Sequence, residues 1–183
     1  YYITYEGVDF TGTSASPDVT NPNDTILTYT VETPTFELQD ATRKGYTFKG
    51  WNPGKIVERG TTGDLTLEAT WEVIVYTITY ENGVESTSVS TNVTNTNVTT
   101  YTVENEVVLA QPSRSGYTFE GWIGTDVATA SKAVTIPAGS IENRTFTATW
   151  KVVEYEISYE LNGGTNATSN PTKYTVEDSE TLA

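Results

Sequence analysis

The feature that most constrains this chain is its internal repetition. A Tyr-x-Ile-x-Tyr-Glu motif opens at Tyr1, returns at Tyr76 and returns again at Tyr155, a period of about 75 to 80 residues. Tyr-Thr-Val-Glu follows each time, at Tyr29–Glu32, Tyr101–Glu104 and Tyr174–Glu177. Two further landmarks occur twice: Gly-Tyr-Thr-Phe-x-Gly-Trp at Gly45–Trp51 and Gly116–Trp122, and Ala-Thr-Trp at Ala69–Trp71 and Ala148–Trp150. Such a chain reads as an array in which each unit solves the same folding problem. The landmarks set repeat one at 1–75, repeat two at 76–154 and the truncated opening of a third repeat at 155–183.

Within the landmarks, apolar residues recur every second position, the period of a half-buried strand. Leu65, Leu67, Ala69 and Trp71 share one face, as do Phe146, Ala148 and Trp150, with threonines between the latter. Tyr1, Ile3 and Tyr5 and their counterparts alternate likewise, and β-branched and aromatic residues suit a pleated surface. The landmarks read in the first instance as hairpin-type antiparallel strands. Trp51 breaks the alternation by lying three residues beyond Phe48, so Gly50 is expected to mark a bulge that returns the indole to the core, and Gly121 to do the same for Trp122. The other Tyr and Trp positions are in phase with apolar neighbours and are expected in the core.

Helical signal is thin. Phe36–Lys44 and Val107–Arg114 are short, the second contains Pro112, and neither sustains a 3.6 period, so at most one short helix per repeat is expected. The stretches 9–24 and 86–100 are rich in Ser, Thr and Asn and read as variable loops; Asn82-Gly83 and Asn162-Gly163-Gly164 are hairpin-turn signals. The connections from Trp71 to Tyr76 and from Trp150 to Tyr155 contain no Gly, Pro or Ser. Flexible tethers are built from Gly and Ser, so these apolar, strand-like links predict closely joined repeats with restricted hinging.

The residue inventory removes whole classes of chemistry. With no Cys, His or Met, disulfides, thiolate or imidazole metal ligands, and Cys or His catalysis are excluded. The remaining acid–base option is a carboxylate pair, and the candidates Glu6 with Glu32, Glu81 with Glu104 and Glu160 with Glu177 recur because the scaffold recurs. No catalytic, cofactor-binding or metal-binding residue is assigned. Asp18, Asn21, Asn23 and Asp24 crowd one loop with the oxygen ligands that calcium prefers, but no EF-hand spacing is present, Asn and Asp are ordinary turn formers, and repeat two offers Asn92, Asn95 and Asn97 there instead. Asn-x-Thr triplets at Asn23, Asn92, Asn97, Asn143 and Asn166 are what chance supplies in a chain rich in both residues. A formal charge of −14 disfavours nucleic acid and anionic membrane surfaces, and no apolar run approaches the roughly 20 residues that span a bilayer. The start at Tyr1 without a signal peptide reads as a piece of a longer chain.

Together the landmarks resemble the Listeria and Bacteroides repeat family, also called the internalin B B-repeat. In that family a Tyr-x-Ile-x-Tyr start leads through Pro-x-Arg-x-Gly-Tyr-x-Phe-x-Gly-Trp to a final Ala-x-Trp. The match is closest at Pro112–Trp122, while repeat one departs from it at Ala41–Lys44 and lacks the Asn-Gly-Gly turn. The resemblance implies a mainly β fold (α+β at most) of tandem small β-grasp-like repeats, with a mixed or antiparallel sheet and at most one short helix each. It also implies secreted or wall-attached bacterial proteins in which such modules act without catalysis. The expected function is therefore a rigid extracellular stalk or spacer with a possible part in adhesion. The alternative is a dedicated protein- or glycan-binding module that uses the loops differing between repeats, 9–24 against 86–100 and 52–64 against 123–141. Expected partners are the adjacent repeats, a host or neighbouring-cell surface protein or glycan, and another chain through exposed strand edges.

Overall fold

The computed structural model describes residues 1–8, 19–82 and 93–179. They form strands, turns and loops with no helix, so the chain is mainly β. Its contacts divide it into two compact units: Tyr1–Thr77 with Thr100–Val107 and Ile136–Asn143, and Ile78–Thr99 with Val108–Thr135 and Arg144–Ala183.

In the first unit a three-stranded sheet is built from the landmarks. The closing strand, Leu65–Val73, lies in the centre, flanked by the opening strand, Ile3–Glu6, and the bulged strand, Tyr46–Asn52. The opening and closing strands run parallel, with Ile3 opposite Leu65 and Glu6 opposite Glu68, whereas the bulged and closing strands are antiparallel. The hairpin-type expectation thus fails for the opening strand. Alternation of period two is the same in either orientation, and only the long crossover that parallel neighbours require distinguishes them. Thr100–Tyr101 pairs antiparallel with Tyr76–Thr77, outside this three-stranded sheet.

The second unit repeats the plan. Ile78 to Glu81 run parallel to Arg144–Thr147, and the antiparallel bulged strand Tyr117–Gly124 lies on the other side of the closing strand Arg144–Val152. Beyond it an edge strand, Val127–Ser131, folds back on the bulged strand, with Trp122 opposite Ser131. Phe36–Lys44 and Val107–Arg114, the segments with room for a helix, hold two-residue strands instead: Phe36–Glu37 and Thr42–Arg43, Val107–Val108 and Ser113–Arg114.

Register shifts between Phe48 and Gly50 and between Phe119 and Gly121 are the expected bulges, and they place Trp51 at 5% and Trp122 at 0% exposure. Each indole is the hub of an edge-on aromatic chain. Trp51 lies 5.4 Å from Tyr5 and 5.5 Å from Phe48, which reaches Trp71 at 5.2 Å. Tyr80, Trp122, Phe119 and Trp150 repeat the series at 5.3 to 5.4 Å. Such pairs contribute about 0.5–1.5 kcal/mol each beyond burial. The first tyrosine of each repeat is not a core residue as expected: Tyr1 is 47% exposed and packs by ring contact on Tyr29, as Tyr76 does on Tyr101 and Tyr155 on Tyr174. At Asn162-Gly163 both residues have positive φ, 44° and 92°, and Gly164 N–H closes a tight turn on Leu161 O. Gly83 of the other turn signal lies outside the described residues.

Candidate functional site

The carboxylates considered for catalysis do structural work one at a time. Glu32 pairs with Arg59 at 2.5 Å, Glu81 accepts from Thr147 at 2.9 Å, and Glu104 and Glu177 accept from tyrosines. Among the described residues no group of three acidic side chains is placed to hold a metal ion. Of the candidate calcium ligands, Asp18 lies outside the described residues and Asn23 is committed elsewhere. Buried to 1% exposure, its amide donates to Asn21 Oδ1 and Gln39 O at 3.0 and 2.8 Å and accepts from Gln39 N–H at 2.8 Å. Asn97 does the same to Asn95 and to both backbone groups of Ala110. Gln39 O and Ala110 O also accept from the indoles of Trp51 and Trp122. These asparagines brace the loop before Tyr-Thr-Val-Glu onto the connecting segment that holds Gln39 or Ala110, a role the turn-rich composition concealed.

The arrangement that recurs without counterpart in a lone repeat is a seat formed by Arg-x-Gly-Tyr of one repeat and Val-Glu of the next. In the first unit, Gly45 has φ of +76°, and a Cβ on it would lie 2.6 Å from Val103 Cβ. In the second unit, Gly116 has φ of +78°, and its Cβ would lie 2.2 Å from Val176 Cγ1. Glycine is required at both for two reasons, a left-handed backbone and a valine occupying the space a side chain would take. The neighbouring tyrosine then closes the contact: Tyr46 Oη donates to Glu104 Oε1 at 2.5 Å and Tyr117 Oη to Glu177 Oε1 at 2.6 Å. Over each ring sits a guanidinium, Arg43 at 3.6 Å and Arg114 at 3.7 Å from the centroid, within cation–π range.

Electrostatics hold both phenols in the donor form. Burial first, and then the bond to Glu104, pushes the Tyr46 hydroxyl above the usual tyrosine range, against a smaller opposing effect of Arg43. For Tyr117 the bond to Glu177 comes first, then burial, again raising it.

Local sequence explains how the Val-Glu turn is presented. Thr102 N–H donates to Asn105 Oδ1 at 2.9 Å while Asn105 N–H bonds back to Thr102 O at 3.1 Å, and Thr175 and Asp178 repeat this at 2.6 and 3.3 Å. The side chain at the fourth position thus fixes a turn with valine and glutamate at its tip. The links named in the sequence are pinned to the same glycines: Ile74 N–H donates to Gly45 O at 2.9 Å, and Val153 N–H to Gly116 O at 2.8 Å. Two residues, Ile74 and Val75, separate the closing strand of repeat one from the opening strand of repeat two. Sequence reasoning singled out the link but missed the seat. The signal was there in the recurrence of Arg-x-Gly-Tyr and Tyr-Thr-Val-Glu beyond what strand alternation requires.

The loops that differ between repeats are unlike in structure too. Where repeat one has a loop after Asn52, repeat two inserts the edge strand Val127–Ser131, whose Asp126 pairs with Arg144 at 2.6 Å.

No solved structure matches the chain. It is 27% identical, over 95% of its length, to a protein from Evansella cellulosilytica that carries the name of a Gly-rich membrane protein, and it spans 20% of that relative. Among the described residues no helix is long and apolar enough to cross a membrane. The family model of the Listeria-Bacteroides repeat domain matches residues 1–70 and again 76–149. With both matches carrying the opening strand and the glycine bulge and running to the Ala-Thr of the closing strand, the chain belongs to the Listeria-Bacteroides repeat domain family.

Proposed function

We propose that this chain is a non-catalytic repeat segment of a bacterial surface protein, acting outside the cell as a stiff spacer that carries other parts of its parent away from the envelope. The observation that carries this reading is the recurrence of the whole seat, glycine, tyrosine, arginine, valine and glutamate, at both positions where one repeat gives way to the next. A tether needs none of these contacts; a spacer needs them at every step, because stiffness in an array is the sum of its neighbour interfaces. The acidic surface keeps a crowded array soluble. Membership of a repeat family of surface proteins and the name of the relative support the location.

Small-angle scattering on the full chain tests the reading, with a variant carrying Gly-Ser residues in place of Val73 to Val75. A longer, narrower distance distribution for the native chain is expected. Indistinguishable distributions sink the spacer reading. The alternative, recognition of a protein or glycan by the variable loops, draws on one observation: Ala128, Thr129 and Ala130 form an exposed edge strand that repeat one lacks.

A further inference from the structure

Three Tyr-Thr-Val-Glu turns are folded alike, and their surroundings differ in which flanks meet them. Thr30 N–H donates to Thr33 Oγ1 at 2.9 Å and Thr33 N–H bonds back to Thr30 O at 3.0 Å, so Val31 and Glu32 stand at the tip as Val103 and Glu104 do. The flank supplied by the same repeat is also matched: Gly60 N–H donates to Val31 O at 3.1 Å, and Gly139 N–H to Val103 O at 2.7 Å. Yet Val103, seated on Gly45, is 1% exposed, whereas Val31 is 40% exposed. Val176 meets Gly116 but has, among the described residues, no flank bond like that from Gly60 or Gly139, and it keeps 48% of its surface, so only the turn with both flanks is buried. The Glu32 side chain is 77% exposed and pairs with Arg59, itself 64% exposed, a pair worth little in water. The backbone leading in is also placed alike: Tyr1 exchanges both hydrogen bonds with Tyr29, where Tyr76 lies opposite Tyr101.

We infer that the exposed turn at Val31 and Glu32 is a docking socket for the Arg-x-Gly-Tyr edge of another repeat of this kind, joined directly ahead of Tyr1. The glycine would seat Val31, and the tyrosine hydroxyl would donate to Glu32, which has a second oxygen beside the one facing Arg59. The arginine of that edge would lie over the tyrosine ring, as Arg43 does over Tyr46. No aromatic or apolar pocket for a different partner class is needed. This inference rests on the reading of the seat as a working interface.

The experiment joins a second copy of residues 76–154 ahead of Tyr1 of the full chain, so that Glu154 precedes Tyr1 as it precedes Tyr155. Hydrogen exchange is then followed on peptides covering Tyr29–Thr33, a sequence that the added copy does not contain. Amides at Val31 to Thr33 are expected to exchange about tenfold more slowly than in the unextended chain. Peptides common to both copies of 76–154 should exchange as one population. Unchanged rates at Val31 to Thr33, or two populations marking an added copy that does not fold against this face, overturn the socket. Tyr46→Phe in the unextended chain separates the two readings: it is expected to speed exchange at Val103 to Asn105 several-fold. If it does not, the seat itself is not a working interface; if it does while Val31 to Thr33 stay unprotected, the socket alone fails.

Discussion

One carboxamide in each repeat fastens two lengths of chain. Asn23 bonds both backbone groups of Gln39, and Asn97 both of Ala110, so truncation leaves each N–H without its partner and each C=O with only the indole donor of Trp51 or Trp122. Asn97→Ala and Asn23→Ala are each expected to lower stability by about 1–3 kcal/mol in chemical denaturation. Asn23→Asp should do no better at neutral pH, because a carboxylate has no donor for Gln39 O. An aspartate variant as stable as the native chain overturns the brace. In the sequence, Asn-x-Asn before Tyr-Thr-Val-Glu looked like ordinary loop chemistry, since nothing local says that the loop is fastened to a later segment of the repeat. Tyrosines were more legible as core than as donors, yet Tyr80 is 7% exposed and hydrogen-bonds Val98 O at 2.9 Å, and burial pushes its hydroxyl up to about 12. The unfolded phenol ionises near 10, so the native state binds its proton more tightly. This contribution is complete below pH 10 and is lost as pH climbs through the folded value near 12. Denaturant titrations across that window should fall more steeply for the native chain than for Tyr80→Phe.

At the scale of the strand, the two bulges were readable because a tryptophan three residues after a phenylalanine cannot share its face without an extra residue. Their surroundings were not readable. Gly50 has φ of +129° with open space where a Cβ would point, whereas a Cβ on Gly121, at φ +153°, would lie 2.5 Å from the backbone nitrogen of Ser131. The edge strand present only in repeat two makes the difference. Gly50→Ala is therefore expected to cost backbone strain alone, about 1–3 kcal/mol, while Gly121→Ala must also displace Val127–Ser131. In thermal melts Gly121→Ala should be the more damaging of the pair, with exchange protection lost along the edge strand. Equal costs would mean that the edge strand yields freely. The parallel pairing of opening and closing strands escaped the sequence for a different reason: a hydrophobic period of two fixes which face is buried and says nothing of direction.

Across the whole molecule, the sequence revealed the period, the order of the landmarks and the strand-like links, because each is written in contiguous residues. The seat is written in two places far apart, and its valine and glutamate look the same whether they face their own repeat or the next. If the seat couples neighbours, stability is shared along the array, and unfolding of one repeat is opposed by the other. Gly45→Ala attacks that coupling twice, by strain at φ +76° and by collision with Val103, whereas Tyr46→Phe removes a single half-exposed hydrogen bond worth about 1 kcal/mol or less. Calorimetry should therefore show the native endotherm broadening or splitting in Gly45→Ala, with one component shifted down, and only a small shift in Tyr46→Phe. The double variant Tyr46→Phe with Glu104→Ala should cost less than the sum of the two singles, because both remove the same bond. If Gly45→Ala instead lowers one sharp transition without changing its shape, the glycine serves only its own turn, and the proposed stiffness would rest on the two-residue links alone.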